Sequence, residues 1–259
     1  RLAGDARDLA GIARFLLRSE AIASSRIEGI APAVQQVALA ELGVRETVPD
    51  VSAQAQLVAN NMTVLHEART VLVAAPVVTA DHVIDLHAAL LPDEPHHHGI
   101  RTVQNWIGGS DHHPLDADFV PPAPERVPAL LDDLIAYLNG GGHSPIVQAA
   151  LVHAQFETIH PFTDGNGRVG RALIHTVLTR RGLTTEAVLP VSLVLSTLRN
   201  DYVGGLTAYR HSAPIGSGGF HDARATWLRV FASAVVTASD QAGRLAVELA
   251  ALRSEWEDR

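Results

Sequence analysis

Residues 160–171 bring several chemically active side chains together in the order His-Pro-Phe-Thr-Asp-Gly-Asn-Gly-Arg-Val-Gly-Arg. Gly165, Asn166 and Gly167 stand directly before a predicted helix over 168–181. The backbone N–H groups of such a turn and the positive end of the following helix can together bind an anion. The spacing therefore predicts a phosphate site.

Five side chains around this turn have predicted tasks. Arg168 and Arg171 are three residues apart, hence on one helix face, where their guanidinium groups can bind neighbouring phosphate oxygens. Asp164 offers a hard oxygen ligand for Mg²⁺ beside those phosphates. His160 can accept a proton near neutral pH and so act as a general base. Phe162 is predicted to anchor the loop in the core.

The elements that must position these residues are predicted to be helices. Apolar residues recur at helical spacing, without long alternating segments, so the fold class is mainly α, a helical bundle. Turn residues at 29–32 and 48–50 divide the N-terminal region into two or three helices. An apolar helix over 145–159 leads into the motif. Glycine, proline and histidine accumulate over 96–124, which predicts a long irregular segment with a short hairpin around 104–108.

The motif resembles the centre of the Fic family, His-x-Phe-x-(Asp/Glu)-Gly-Asn-Gly-Arg-x-x-Arg, at every defined position. This resemblance implies a Fic-type helical bundle with a small β-hairpin flap, and an adenylyltransferase that uses ATP. In such a protein His160 would deprotonate a Ser, Thr or Tyr hydroxyl of a target protein, and Asp164 would hold Mg²⁺ on the phosphates. The protein's own chain is one candidate target. AMP would be transferred and pyrophosphate would leave.

Two further segments resemble parts of the same family. Residues 101–109 and 119–122 look like the flap that holds the target peptide, and Ile107 and Gly108 are the candidate flap residues. An extended edge can recruit peptides through main-chain hydrogen bonds. Downstream, Tyr202 lies in a segment similar to the one that helps form the adenine pocket.

A third resemblance lies in Ser-Ser-Arg-Ile-Glu-Gly at 24–29, which is similar to the inhibitory motif (Ser/Thr)-x-x-x-Glu-(Gly/Asn) of one Fic class. Ser24 and Glu28 are predicted to share a helix face. The resemblance implies that Glu28 pairs with Arg171 and takes the place of the ATP γ-phosphate. The implied organisation is an N-terminal helical region over 1–75 with the inhibitory helix, a catalytic core over 76–212 and a C-terminal helical extension over 213–259.

Composition excludes several other classes. All 20 basic residues are arginine and there is no cysteine, which excludes a P-loop lysine, a Schiff base, thiolate catalysis and disulfides. A net charge of −8 argues against a broad nucleic-acid surface, so DNA binding is expected only through a C-terminal module beyond this chain. Neither a membrane segment nor a signal peptide is recognisable, which favours a cytoplasmic protein.

Several histidines allow a second interpretation, because a loop histidine can be a metal ligand. Residues 96–98 and 112–113 are histidines in a proline-rich loop, and a solvent-exposed loop is favoured over a metal site there. Asp93 and Glu94 are interpreted as a solvated turn. His82 and His87 are five residues apart on a predicted helix, hence not on one face, and are interpreted as surface or packing residues.

Three alternatives to AMP transfer stay open at the level of sequence. The protein could remove AMP from a modified target, with Glu28 aligning a water molecule. It could use another nucleotide donor, because nothing in the motif distinguishes bases. It could also be a nucleotide-binding regulatory or toxin–antitoxin module. A homodimer is expected only by analogy.

Overall fold

Ten helices carry the part of the chain that the computed structural model describes, which is residues 2–43, 51–110, 112–184 and 187–257. The prediction of a mainly α fold is confirmed. The helices are α1 (Leu2–Ile27), α2 (Val34–Gly43), α3 (Ala53–Ala74), α4 (Ala80–Leu90), α5 (Val127–Gly140), α6 (Pro145–Ile159), α7 (Asn166–Arg180), α8 (Val191–Thr197), α9 (Arg199–Tyr209) and α10 (Gly218–Glu257).

The N-terminal region forms three helices, as its turn residues predict, although residues 48–50 lie outside the described part. Helix α1 ends at Ile27 because Gly29 adopts a left-handed conformation with φ of +80°. Glu28 therefore lies one residue beyond the helix and not on it. Helix α1 packs against α3 and α8.

Helices α6 and α7 form the centre of the molecule and pack against each other. Every residue from Asn166 to Leu178 is buried, so α7 is enclosed on all sides by other elements. The left-handed Gly165 precedes α7, and the left-handed Gly182 follows it. The loop between α6 and α7 is the motif, which is thus held by two buried helices.

The C-terminal helix α10 contributes to the same core. Trp227 and Phe231 are fully buried, and the Trp227 indole N–H donates to the carbonyl of Ala150 on α6 at 2.8 Å. One hydrophobic cluster includes residues of α1, α3, α6, α7 and α10. The three predicted segments therefore share one core within the described residues.

The long segment between α4 and α5 is irregular, as predicted, but the hairpin around 104–108 is not formed. Instead, the described residues contain two isolated antiparallel bridges, which join Ile107 to Phe119 and Ser110 to His113. Gly109 has a φ of +73°, and a Cβ there would lie 2.6 Å from the Asp116 carbonyl oxygen. Gly109 thus lies close to the main chain of Asp116, and Ile107 pairs with Phe119 and not with a residue inside 104–108.

No helix in the described ranges combines the length and the apolar character that a bilayer span requires.

Candidate active site

His160 lies where α6 ends and adopts a left-handed conformation, with φ of 51° and ψ of 61°. Its backbone N–H donates to the Phe156 carbonyl at 2.8 Å, and its carbonyl accepts from Arg101 Nε at 2.8 Å. Burial is the main cause that lowers the pKa of His160 to about 4, and the nearby charge of Arg210 contributes to this shift. The imidazole is therefore uncharged at neutral pH and can accept a proton.

The loop after His160 is fixed by contacts with the core. Phe162 is fully buried, as the sequence predicts. The backbone N–H of Phe162 donates to Asn166 Oδ1 at 2.9 Å, and the Phe162 carbonyl accepts from Asn166 Nδ2 at 2.8 Å. The His87 ring stacks on Phe162 at 3.9 Å between centroids, and His87 Nε2 lies 3.0 Å from the Asp164 carbonyl. Asn105 adds a bond to the Phe162 carbonyl at 3.0 Å.

His87 and Asn105 thus support the motif, although sequence reasoning gave neither of them this role. The helical position of His87 predicted only packing, and nothing in the local pattern indicates which residue it packs against. Burial also lowers the pKa of His87 to about 4, so the ring stays neutral beneath the loop.

Arg168 is buried but largely unpaired. Its side chain is 3% exposed, and its single hydrogen bond joins Nη2 to Asp164 Oδ2 at the long distance of 3.3 Å. Within the described part of the chain, its Nε and Nη1 atoms have no hydrogen-bond partner. Such buried donors are rare without a ligand or water. Burial is the largest cause that lowers the pKa of Arg168.

Arg171 is buried and fully engaged by the N-terminal region. Its Nε donates to Ser24 Oγ at 2.9 Å, and its Nη2 donates to the Ser24 carbonyl and to Glu28 Oε1, both at 2.8 Å. Burial alone would lower the pKa of Arg171, but the charge of Glu28 outweighs it and raises the pKa. Ser24 and Glu28 thus meet Arg171 across more than 140 residues of sequence.

The carboxylate of Glu28 also covers the first turn of α7. A Cβ on Gly167 would lie 2.0 Å from Glu28 Oε1, so only glycine leaves room for the carboxylate here. The first N–H groups of a helix lack acceptors within the helix. Glu28 therefore approaches the same helix end that the sequence predicts to bind phosphate through Gly165, Asn166 and Gly167.

Buried polar residues also lie near Arg171. Burial raises the pKa of Glu157 to about 7, and its Oε2 lies 3.9 Å from His160 Nδ1. Tyr202 is only 3% exposed, and its hydroxyl lies 2.8 Å from His153 Nε2. Burial lowers the pKa of His153 to about 3. Tyr202 thus lies in the core beside Arg171, and its contact with adenine stays a prediction.

The segment predicted to form the flap is connected to the motif loop. The N–H of Ile107 donates to the Phe119 carbonyl at 2.9 Å, and Gly108, with φ of +75°, follows at the exposed turn. The Arg210 guanidinium lies 4.4 Å from the Phe119 ring centroid and donates to the Glu157 carbonyl at 3.1 Å. Arg101 and Arg210 thus connect the flap to α6, which the motif alone does not indicate.

Fold and site define a helical protein in which a partly buried histidine and two buried arginines surround the glycine-rich N-terminus of a central helix. Residues 77–178 match the model of the Fic/DOC family. This region of the chain is therefore a Fic domain, and the family predicted from the motif is confirmed.

Curated relatives and solved structures agree with this assignment. Protein adenylyltransferase fic-1 of Caenorhabditis briggsae is 34% identical over 119 residues, which are 44% of this chain and 22% of that protein. A probable protein adenylyltransferase of Aquifex aeolicus is 37% identical over 91 residues, which are 35% of this chain and 28% of that protein. This chain therefore matches only about a quarter of the length of these relatives.

The fold is shared with a Fic domain-containing signalling protein from Bacteroides thetaiotaomicron, with a TM-score of 0.74 at 20% identity, covering 93% of this chain and 91% of that one. A Fic family protein from Desulfovibrio desulfuricans gives a TM-score of 0.71 at 24% identity, covering 90% and 66% of the two chains. The described helices thus form a Fic-type bundle.

Proposed function

We propose that this protein transfers AMP from ATP to a Ser, Thr or Tyr hydroxyl of a protein, and that Glu28 inhibits the transfer. The observation that carries the proposal is the unfilled hydrogen-bonding capacity of Arg168 beside the N-terminus of α7. A buried guanidinium next to free backbone N–H groups suits a phosphate. The relatives that carry the name protein adenylyltransferase support the choice of nucleotide and reaction.

The phosphates of ATP would bind at Gly165, Asn166 and Gly167 through backbone N–H groups, and at Arg168 through its side chain. The Asn166 side chain is engaged with Phe162, so only its backbone would contribute. Arg171 would bind the terminal phosphate once Glu28 has left it.

Asp164 fits the role of a Mg²⁺ ligand. Its side chain is 55% exposed, and among the described residues its carboxylate has one hydrogen-bond partner, the long bond from Arg168, so carboxylate oxygens remain for a hard cation. Bound there, Mg²⁺ would offset the negative charge of the phosphate oxygens.

His160 would act as the general base. Its ring accepts the proton of the target hydroxyl while the hydroxyl oxygen forms a bond to the α-phosphorus of ATP. The bond from that phosphorus to the bridging oxygen breaks, and pyrophosphate leaves. General base catalysis contributes roughly 10²–10⁴-fold. The lowered pKa of His160 supports this role because the ring is unprotonated at neutral pH.

The flap would align the target. The exposed turn at Gly108 and the main chain beside Ile107 offer an extended edge close to the loop that carries His160. A peptide that pairs with this edge through its backbone would bring a hydroxyl towards the base with little dependence on its sequence. A segment of the same chain is a candidate target.

Glu28 would inhibit transfer by imitating a phosphate. Its carboxylate bonds Arg171 and covers the first turn of α7, where the terminal phosphates would lie. ATP would then bind with its α-phosphorus misplaced for attack. Because Glu28 follows the end of α1, any event that shifts this helix would release the inhibition.

The test is transfer of label from α-labelled ATP with Mg²⁺, scored as self-labelling and as labelling of added protein. Wild type, Glu28→Gly and the double variant Glu28→Gly, His160→Asn are compared, since asparagine tolerates a left-handed backbone. We expect labelling to rise in the single variant and to disappear in the double variant. Glu28→Gln, which keeps the shape but removes the charge, should give an intermediate rise.

Absence of labelling in all three proteins, with ATP still bound, would overturn the proposal. A rise in Glu28→Gly that persists in the double variant would keep AMP transfer but remove His160 from its role.

A further inference from the structure

A short turn beside the motif loop holds three side chains that can ligate a metal. Glu94 precedes the 3₁₀ turn Pro95–His97, and His96 and His97 lie on that turn. One ligand atom from each of these three residues lies within 4.8 Å of the other two. This is a separate place from Asp164, and its ligands include nitrogen.

The spacing is close to that of a first-row transition metal site. His97 Nε2 lies 3.6 Å from Glu94 Oε2, and the His96 and His97 ring centroids are 4.1 Å apart. Ligands about 2.0–2.1 Å from a tetrahedral zinc ion are about 3.4 Å from one another. Because the side chains are partly or fully exposed, shifts of about 1 Å would be enough to bring all three into the first coordination sphere.

The ring of His97 is already oriented by a second contact. Its Nδ1 lies 2.8 Å from the Thr163 hydroxyl oxygen, which can accept a hydrogen bond. With the proton on Nδ1, the lone pair of Nε2 points to the side of Glu94. Metal-ligating histidines commonly donate their other ring N–H in this way, which fixes both the tautomer and the ring orientation.

We propose that Glu94, His96 and His97 bind one Zn²⁺-like divalent ion, with water completing the coordination. Two imidazoles and a carboxylate suit zinc, whereas Mg²⁺ prefers oxygen ligands alone. From the sequence alone, a solvated loop is favoured here. The sequence shows neither that the Glu94 carboxylate lies close to His97 nor that His97 contacts Thr163. Through Thr163, the ion would attach this turn to the residue next to Asp164.

The test is calorimetric titration of ZnCl₂ into untagged, chelator-treated protein, with Co²⁺ absorption in the visible range as a second readout. We expect one ion per chain. His96→Ala, whose side chain is exposed, should weaken Zn²⁺ binding at least about tenfold, and Glu94→Gln should do the same. Thr163→Val keeps all three ligands and should weaken binding by about tenfold through loss of ring orientation.

The double variant His112→Ala, His113→Ala is the matched control, because it removes another adjacent histidine pair from the same long segment. It should bind Zn²⁺ as wild type does. Circular dichroism establishes that each variant is folded. The proposal is overturned if wild type shows no stoichiometric binding, if His96→Ala and Glu94→Gln bind as wild type does, or if the control loses binding instead.

Discussion

Arg168 and Arg171 lie one turn apart on α7, and both are almost completely buried, yet their surroundings are opposite. Arg171 donates to Ser24 and Glu28 at 2.8–2.9 Å, whereas Arg168 makes one long bond and leaves two nitrogen atoms without a partner in the described structure. One guanidinium is therefore satisfied by the protein itself, whereas the other keeps donors that an anion could use.

This difference separates an arginine that the protein itself engages from one that it leaves largely unpaired within the described residues. An engaged guanidinium contributes to folding, because its removal leaves partners such as Ser24 unpaired. An unengaged one costs free energy in the empty protein and is useful only when an anion arrives. The resemblance implies a partner for Arg171 alone, and the contacts show that Arg168 has unfilled hydrogen-bonding capacity in the described structure.

The largest expected effect concerns Arg168. In the Glu28→Gly background, Arg168→Ala should lower AMP transfer by about 10²–10⁴-fold, since it would remove two charge-assisted bonds to phosphate, each worth about 1.5–3 kcal/mol. Label transfer from α-labelled ATP measures the loss. Arg199→Ala, at an exposed position on α9, is the control and should leave transfer unchanged. Activity of Arg168→Ala within threefold of its parent would show that Arg168 does not hold phosphate.

For the free energy of unfolding, substitution of Arg171 should have the larger effect and substitution of Arg168 the smaller one. Arg171→Ala should lower the free energy of unfolding of the nucleotide-free protein by at least about 2 kcal/mol, because several bonds to a charged donor are lost. Arg168→Ala should change it by less than about 1 kcal/mol, since it removes one long bond and two unpaired donors. Urea denaturation followed by circular dichroism tests this order, and equal losses in the two variants would contradict it.

Acid should lower the free energy of unfolding through three histidines near the arginines. Burial is the main cause that lowers the pKa values of His87, His153 and His160 to about 3–4 in the folded protein. The charge of Arg168 adds to the shift of His87, and the charge of Arg171 adds to that of His153. Unfolded histidines titrate near 6.5. Between about pH 6.5 and pH 4 the unfolded state therefore binds protons that the folded state does not, and the free energy of unfolding should fall as pH falls.

Glu157 acts in the opposite direction, because its raised pKa of about 7 makes the folded state take up a proton as pH falls from 7 to 4.5. One such group is outweighed by three histidines. Urea denaturation at pH 7, 6 and 5 measures the slope, and Glu157→Gln should make the fall in stability steeper. Stability that rises on acidification would contradict the assignment of neutral buried histidines.

The smallest expected effect concerns Tyr202, which lies on the Arg171 side. Tyr202→Phe removes the hydroxyl that meets His153 and should cost about 1 kcal/mol of stability. If Tyr202 supports the core and does not touch adenine, the KM for ATP in the Glu28→Gly background should change less than threefold. A tenfold rise in KM would instead favour the contact that the family resemblance implies.

Much of the site could be predicted from sequence because its residues are adjacent in the chain. Helix α6 has the predicted bounds, and the ends of α7 agree within two residues, since glycine at 165 and 182 gives clear signals. The resemblance also indicated the pairing of Glu28 with Arg171. These features depend on local spacing or on motifs that retain their order.

The supporting contacts could not be predicted, because they join residues far apart in the chain with no local signal. The stacking of His87 on Phe162 spans 75 residues, and Glu20 accepts from Ser192 across 172. The hairpin was wrong because Ile107 pairs with Phe119, twelve residues further along the chain, and not with a residue inside 104–108.

Among the described residues, His160 is the one non-glycine residue with a positive φ, at 51°. A left-handed backbone costs about 1–2 kcal/mol for most residues with a Cβ, but less for asparagine and little for glycine. Under the proposed function, activity and stability therefore favour different residues at this position. A variant library selected for thermal stability alone should replace His160 with glycine or asparagine, and would discard the proposed base while stabilising the fold.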